Sequence, residues 1–347
     1  MVNAREADSQ GKPAFVFWCF PGETARGPRI AAAIGAETVY SYITEYKGRK
    51  LPTIARYVVQ ALHTWRRLRG IRPRCVFVQN PPVFAPLVVA IYGRLHRCPF
   101  VVDNHSSFLD ARWQAFHWLQ RPLGRRAAIN LAHNEANLEL LEGWGLSNAL
   151  LLKSPAVSRA DIYEPDADLG PYEKPLAHEG LKVFMVNRFA IDDAYHEVFE
   201  AARHMPEARF FLTGNPQKAG LNPSTAPANV VLTGFLKRGV FLKLMEACDV
   251  VLTLTLRKDT LLWSIRECLA LGKPFVASDT RVMRLEFDGY GLFTDHTPTD
   301  LCAKIREAYH RRAEFTAKMA PYIEEDKERW RRDIERIQGI LDKTPGP

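Results

Sequence analysis

Long apolar runs are missing from this 347-residue chain, and no stretch approaches the roughly 18 residues that a membrane-spanning helix needs. The first apolar stretch, residues 14–20, is cut off by Pro21-Gly22-Glu23 and is too short for the core of a secretory signal. Paired cysteines are missing too. The six cysteines are dispersed, and none forms a C-x-x-C or a Cys/His ligand pair. That excludes a disulfide scaffold and a zinc ribbon, and it leads one to expect free thiols in a reducing cytoplasm. Acidic residues are scarce in the first part only: residues 1–157 carry 20 Lys and Arg against 10 Asp and Glu, the remainder 27 against 29. Such asymmetry predicts an anionic partner for the N-terminal half. No nucleic-acid-binding module is recognisable, so an anionic membrane surface is expected and nucleic acid is not. Short internal repeats are also absent. The one D-x-D sequence, Asp166-Ala-Asp168, lies in a polar linker and not at a strand end. It reads as a solvated charge run, and neither a metal nor a cofactor is implied.

What is present is an alternation of short buried strands and amphipathic helices, the pattern of doubly wound α/β domains. Strands are expected at 14–20, 38–42, 75–79, 100–103, 127–131 and 149–152, and again at 181–186, 209–212, 230–232, 249–255, 275–278 and 290–293. Helices are expected between them, one of them over 51–68 and one over 322–341. The chain is too long for one ordinary core. The expected division is 1–157, then 158–325, with 326–347 as a helix packing back on the first domain. The stretch 154–179 is read as a loop-like linker.

One block organises the rest. Asp259 and Thr260 are good N-cap residues before Leu261, Leu262, Ile265, Leu269 and Ala270 at helical spacing. Gly272 and Pro274 end that helix, and a strand follows to Ser278. A helix opening at residue 260 would offer unpaired N–H groups to an anion, and Glu267, about two turns deeper, would accept hydrogen bonds from sugar hydroxyls. Together they suggest a nucleoside diphosphate site. An N-cap with a surface glutamate is the other reading of the same local pattern.

An acid, seven residues, Glu267 and then Leu271-Gly-Lys-Pro-Phe-Val-Ala-Ser278 resemble the nucleotide-sugar site of family-4-like retaining glycosyltransferases, whose usual motif is E-x7-E. The resemblance implies two Rossmann-like domains facing a central cleft, the GT-B architecture. It implies that Glu267 holds ribose hydroxyls and that Asp259 contacts the transferred sugar. This chain departs from the family in having Asp at the first acid and Thr260-Leu261-Leu262 where Gly-Phe-Gly is usual. The resemblance further implies that Arg188, at the end of the 181–186 strand, clamps the diphosphate. The family's second clamp, a lysine, falls here at Asp193 or Ala194, so Lys258 or Arg257 would have to supply that charge. Phe235 and Leu236 would pack against the nucleobase. Gly22, or else Gly27, would approach the pyrophosphate in the first loop, although both also suit plain turns. Gly214, at the end of the 209–212 strand, would permit close ligand approach.

In the first half, Asn104-His105-Ser106-Ser107 ends a strand, where polar side chains face the ligand crevice. By the resemblance His105 reaches the donor sugar or the acceptor; the same residues also suit a helix-capping cluster. Val78-Gln-Asn-Pro-Pro82 with Val101-Val-Asp-Asn-His105 is similar to lipid-linked β-mannosyltransferases of the N-glycan pathway, which invert the anomeric centre. Residues 111–126 place Trp113, Phe116, Leu119 and Leu123 near one face, flanked by Arg112, Arg121, Arg125 and Arg126. That suits an interfacial helix on anionic lipid, or a core-facing helix with a solvated basic side. The expected function is transfer of a hexose from a UDP- or GDP-linked donor to a lipid-linked or glycan acceptor, peripheral to the inner face of a membrane. A sugar-nucleotide epimerase and a non-catalytic binder are the alternatives.

Overall fold

The computed structural model describes residues 11–21, 26–46, 49–109, 111–164 and 167–344. The chain divides into two compact units, residues 1–155 with 328–347, and residues 156–327. Each is built on one six-stranded parallel sheet.

In the first unit the strands are β1 (Ala14–Phe17), β2 (Glu37–Tyr40), β5 (Val76–Asn80), β6 (Phe100–Asn104), β7 (Ile129–Ala132) and β8 (Ala149–Leu151), in the order β2-β1-β5-β6-β7-β8. A small antiparallel hairpin, β3 (Glu45–Tyr46) with β4 (Arg49–Lys50), was not expected. β1, β6 and β7 are buried along their whole length, because helices cover both faces of a parallel sheet. One face packs Val16, Val76, Val78 and Val102 against Ala85, Val89 and Tyr92. The other packs Phe15, Phe17, Phe77 and Ile129 against Ile334 and Ile337 of the final helix.

The second unit contains β9 (Lys182–Met185), β10 (Arg209–Thr213), β11 (Val230–Gly234), β12 (Val250–Thr253), β13 (Phe275–Ser278) and β14 (Leu292–Thr294), ordered β11-β10-β9-β12-β13-β14. In such sheets the chain reverses direction once. Here that happens between β9 and β12, and in the first unit between β1 and β5, and ligands bind outside the carboxyl ends of the strands at these points.

Several helices differ from expectation. The 111–126 segment is two helices, Ala111–Gln114 and His117–Arg126. The buried Gln120 side chain donates to the Trp113 carbonyl at the break (3.2 Å). The final helix starts at Arg312, ten residues before the expected Tyr322, and carries Pro321 inside it. Phe315, Met319, Tyr322 and Ile323 all bury against the core, and this packing outweighs the backbone hydrogen bond that Pro321 cannot make. A helix at Arg281–Phe287, capped by Thr280, was not expected. Nor is the 154–179 linker plain loop. It holds a capped turn at Arg159–Ile162, and Ile162, Leu169, Tyr172 and Leu176 pack on the core. Asp168 accepts the Gly170 N–H (2.9 Å); Asp166 lies outside the described residues. No helix among the described residues is long and apolar enough to cross a membrane.

Candidate functional site

In the second unit the loops after β9 and β12 flank the switch point. Thr213, at the end of β10, fixes the first of them: its Oγ1 accepts the Asn187 N–H (2.9 Å) and lies 2.8 Å from the Asn187 carbonyl. Gly214 has φ +90, and a Cβ there would lie 2.6 Å from the Asn187 carbonyl oxygen and 2.7 Å from the Arg188 Cα. The chain's own backbone approaches closely here, and that by itself requires a glycine. Asp193 stands where the resemblance looked for lysine. Its buried carboxylate accepts the N–H groups of Arg188 (2.8 Å) and Ala190 (3.0 Å) and so holds the loop's shape. The Arg188 guanidinium is 62% exposed and rests on Asp192 (3.2 Å) and Asp193 (3.4 Å). It is an arginine at a strand end, parked on two acids of its own loop.

The second loop is tied to the first by the Leu256 N–H, which donates to the Asp192 carbonyl (2.8 Å). Ser278, the last residue of β13, accepts the Thr255 N–H (2.7 Å) and donates to the Thr255 carbonyl (2.9 Å). With that hydroxyl hydrogen engaged, the His296 Nε2, 2.7 Å away, is the donor of the pair. The serine that closes the recognised motif thus anchors the loop that carries its first acid. Lys258 and Asp259 form an exposed turn. Thr260, Leu261 and Leu262 are half-buried, and the two leucines pack on the core, Leu262 in extended conformation.

The helix begins only at Trp263, with Leu262 as its N-cap and no side-chain cap. This corrects the expected opening at residue 260. The apolar side chains of Leu261 and Leu262 are satisfied by the core without being helical. Glu267 is consequently the fifth helical residue. Every residue from Ser264 to Ala270 is buried, and Glu267 itself is 3% exposed. It is not the open carboxylate that was expected. Burial raises its pKa, opposed by an ion pair with Arg238 and a hydrogen bond from Trp263. Arg238, its ion-pair partner, is nearly half-exposed and so reaches solvent.

Arg238 was missed in the sequence. Its signal was a basic residue in the first turn of the Arg238–Ala247 helix, at the positive end of the helix dipole, where a cation is unfavourable without a nearby acid. Just before it, Phe235 is exposed with the Lys218 ammonium 4.9 Å above its ring, and Leu236 packs partly on the core. The carboxyl edge of the second sheet therefore carries Arg188, Gly214, Phe235, Leu236, the 255–262 loop and the Glu267–Arg238 pair.

In the first unit, β6 ends at a second ionic site. Asp103 is fully buried and accepts Nε (3.1 Å) and Nη2 (3.0 Å) of Arg26, and the His105 Nε2 lies 3.3 Å from its other oxygen. Burial alone would raise its pKa. The Arg26 charge and hydrogen bonds, with His105 close by, outweigh that and hold the carboxyl well below its usual range. His133 lies beside it, ring centroids 5.7 Å apart. Arg26 was another residue the sequence reading missed. Gly27 is needed for packing, since a Cβ would fall 2.3 Å from the Phe17 ring. Gly22 lies outside the described residues, as does the side chain of Arg112.

Elsewhere in this unit Trp113 and Phe116 are half-buried. They contact each other, and Phe116 meets Phe84 edge-on (5.5 Å), so both rings are engaged with their own domain. Arg121 sits 5.5 Å over Trp144, while Arg125 and Arg126 are exposed. The outward aromatic of this segment is Trp118, 71% exposed.

No protein-family model and no curated protein matches the chain. Solved structures match it in fold. Anabaena HepE in complex with UDP and glucose is 14% identical, with TM-score 0.70 over 96% of this chain and 100% of that one. Sucrose-phosphate synthase from Thermosynechococcus elongatus is 12% identical, TM-score 0.70, over 97% and 90%. A UDP-forming α,α-trehalose-phosphate synthase from Burkholderia vietnamiensis is 13% identical, TM-score 0.66, over 93% and 95%. At these identities the likeness is one of fold, and the chain has the GT-B architecture of two Rossmann-like domains.

Proposed function

We propose that this chain is a glycosyltransferase that moves a hexose from a UDP- or GDP-linked donor to a lipid-linked or glycan acceptor at a membrane surface, in the making of a cell-surface polysaccharide or glycolipid, without a metal ion. The observation that carries this reading is the placement, at the β9/β12 switch point, of an exposed guanidinium on acids of its own loop. Arg188 can leave Asp192 and Asp193 for a diphosphate without stranding a buried charge, because the N–H groups of Arg188 and Ala190 still satisfy Asp193. The solved HepE complex with UDP and glucose has the same fold and supports a nucleotide-sugar donor.

In this reading Arg188 and Lys258 meet the phosphates, Phe235 and Leu236 the base, and Asp259 the sugar. Thr260 and Leu261 line the same loop. Glu267 takes the ribose hydroxyls once Arg238 swings aside or shares the carboxylate. The bond between the anomeric carbon and the diphosphate oxygen breaks, its electron pair stays on that oxygen, and Arg188 stabilises the charge formed there. The acceptor hydroxyl oxygen forms the new bond to the anomeric carbon, and its proton passes to His105 beside the ionised Asp103.

The test is release of nucleoside diphosphate from UDP-glucose and GDP-mannose, with and without membranes carrying the acceptor. Membrane-dependent release is expected, with kcat/KM about 100-fold lower in Arg188→Ala. An epimerase returns a nucleotide sugar and a binder returns the donor unchanged. Either outcome, or an Arg188→Ala enzyme of unchanged kinetics, overturns the reading.

A further inference from the structure

Between Glu45 and Asp103 the sequence holds no acidic residue and eleven Lys and Arg. Two neighbouring helices of the first unit, Thr53–Ile71 and Phe84–His96, take up most of that stretch. They meet along a seam where Tyr57 packs on Phe84, and Trp65 on Tyr92 and His96. Beside the seam, outward by one residue or about 100° of helix turn, stand apolar side chains that are half-exposed or more. Val58 and Leu62 follow Tyr57 and Ala61, while Ile91 and Leu95 precede Tyr92 and His96. All four are exposed, as is Ile54 one turn earlier, at 80%. Five large apolar side chains thus flank one seam.

Cations rim the same face. Arg66 and Arg69 continue the first stripe, Arg94 and Arg97 the second, and all four are exposed. At the C-terminal ends of both helices a pocket of about 410 Å³ is lined by Arg69, Arg72, Pro73, Tyr92, His96 and Cys98. Nearby acids are already matched elsewhere: Glu37 pairs with Arg67 (3.0 Å) and Asp342 with Arg74 (3.1 Å).

We propose that this seam face docks on an anionic phospholipid bilayer, with Ile54, Val58, Leu62, Ile91 and Leu95 entering the acyl boundary and the pocket at Arg69 and Arg72 receiving a lipid phosphate. The assignment rests on charge complementarity and on the adjacency of apolar stripes to a basic pocket, the two chemistries a phospholipid presents side by side. It moves the membrane contact from residues 111–126, whose aromatic rings largely face their own domain, to the two preceding helices. It does not depend on transferase chemistry.

The test is flotation of the full-length protein, without nucleotide, on vesicles of phosphatidylcholine alone and of phosphatidylcholine with one quarter phosphatidylglycerol. Binding to the anionic vesicles is expected, falling with salt. Val58→Asp/Leu62→Asp should lower it at least tenfold, and Arg69→Gln/Arg72→Gln about 20-fold. Trp118→Ala should change it less than twofold. Ile91→Asp/Leu95→Asp repeats the apolar test on the other helix, and circular dichroism and Tm confirm that each variant is folded. Failure of the folded wild type to bind anionic vesicles overturns the proposal. So does undiminished binding by both apolar double variants, or a face that instead drives self-association or RNA binding with no affinity for vesicles. Nucleotide binding is measured separately, so loss of one result leaves the other standing.

Discussion

Replacing Glu267 by glutamine is expected to weaken nucleoside diphosphate binding by about 10–100-fold, the worth of hydrogen bonds to a charged acceptor, while leaving the fold as stable as before or more so. The carboxylate is buried, its burial raises its pKa, and only the partly exposed Arg238 and the Trp263 hydrogen bond oppose that. The sign follows from the raised value. The folded chain holds a proton on Glu267 at pH values where the unfolded chain has lost it. Stability from this group is therefore greatest below the usual glutamate range and is lost as pH rises through the folded pKa. Glutamine removes that loss, so the Tm difference between variant and wild type should move in the variant's favour from pH 4 to pH 7. Arg238, reaching solvent, can be hydrated once its partner is neutral. Calorimetric titration with UDP and GDP, together with Tm across that pH range, checks both halves. A variant that binds as well as wild type shows that Glu267 serves the fold alone.

The largest loss of stability is expected one residue earlier. Arg266 is 4% exposed and joins two buried carboxylates, Glu286 (2.9 Å) and Asp326 (3.3 Å). Asp326 also accepts the Ala156 N–H (2.6 Å), and the Tyr322 hydroxyl lies 3.4 Å from Glu286. Ala156 and Asp326 lie at the two ends of the second unit, so one guanidinium helps to close it. Arg266→Met keeps much of the volume and removes the cation that the two acids share. Loss of one partner from a buried ionic group destabilises by about 3–5 kcal/mol, and for a unit of this size that lowers Tm by roughly 10 °C. Urea denaturation followed by the fluorescence of Trp263, the one tryptophan of residues 156–327, measures it. A change below about 1 kcal/mol, the range of exposed pairs, would show that the triad contributes little.

The strands were legible because a sheet covered on both faces writes itself as short continuous apolar runs, as in Val76–Asn80, Phe100–Asn104 and Phe275–Ser278. The carboxyl-edge positions of Arg188, Gly214 and His105 followed from those strands. The start of the Trp263 helix did not. Asp259 and Thr260 are capping residues by type, and Leu261 and Leu262 fit the helical period, yet the two leucines pack on the core ahead of the helix, which starts at Trp263. Long-range ionic partners were invisible for a different reason. Glu267 is answered by Arg238, Asp103 by Arg26 and Arg266 by Asp326, pairs separated by 29, 77 and 60 positions. No local pattern encodes such pairs, and they decide whether an acid in a motif is open or covered. The linker misled similarly: its Pro, Asp and Glu suggested solvent, but the apolar residues among them, Ile162, Leu169 and Leu176, lie on the core.

The most direct test of the donor site is the thermal shift of the wild-type protein with UDP and with GDP, against adenosine and inorganic phosphate as controls. A ligand that binds only the folded state stabilises it by about 2.7 kcal/mol at a hundred times its Kd. The predicted result is a Tm that climbs with the logarithm of UDP or GDP concentration, and climbs far less in Arg188→Ala. A Tm that stays flat with both nucleotides up to millimolar concentration would contradict the account.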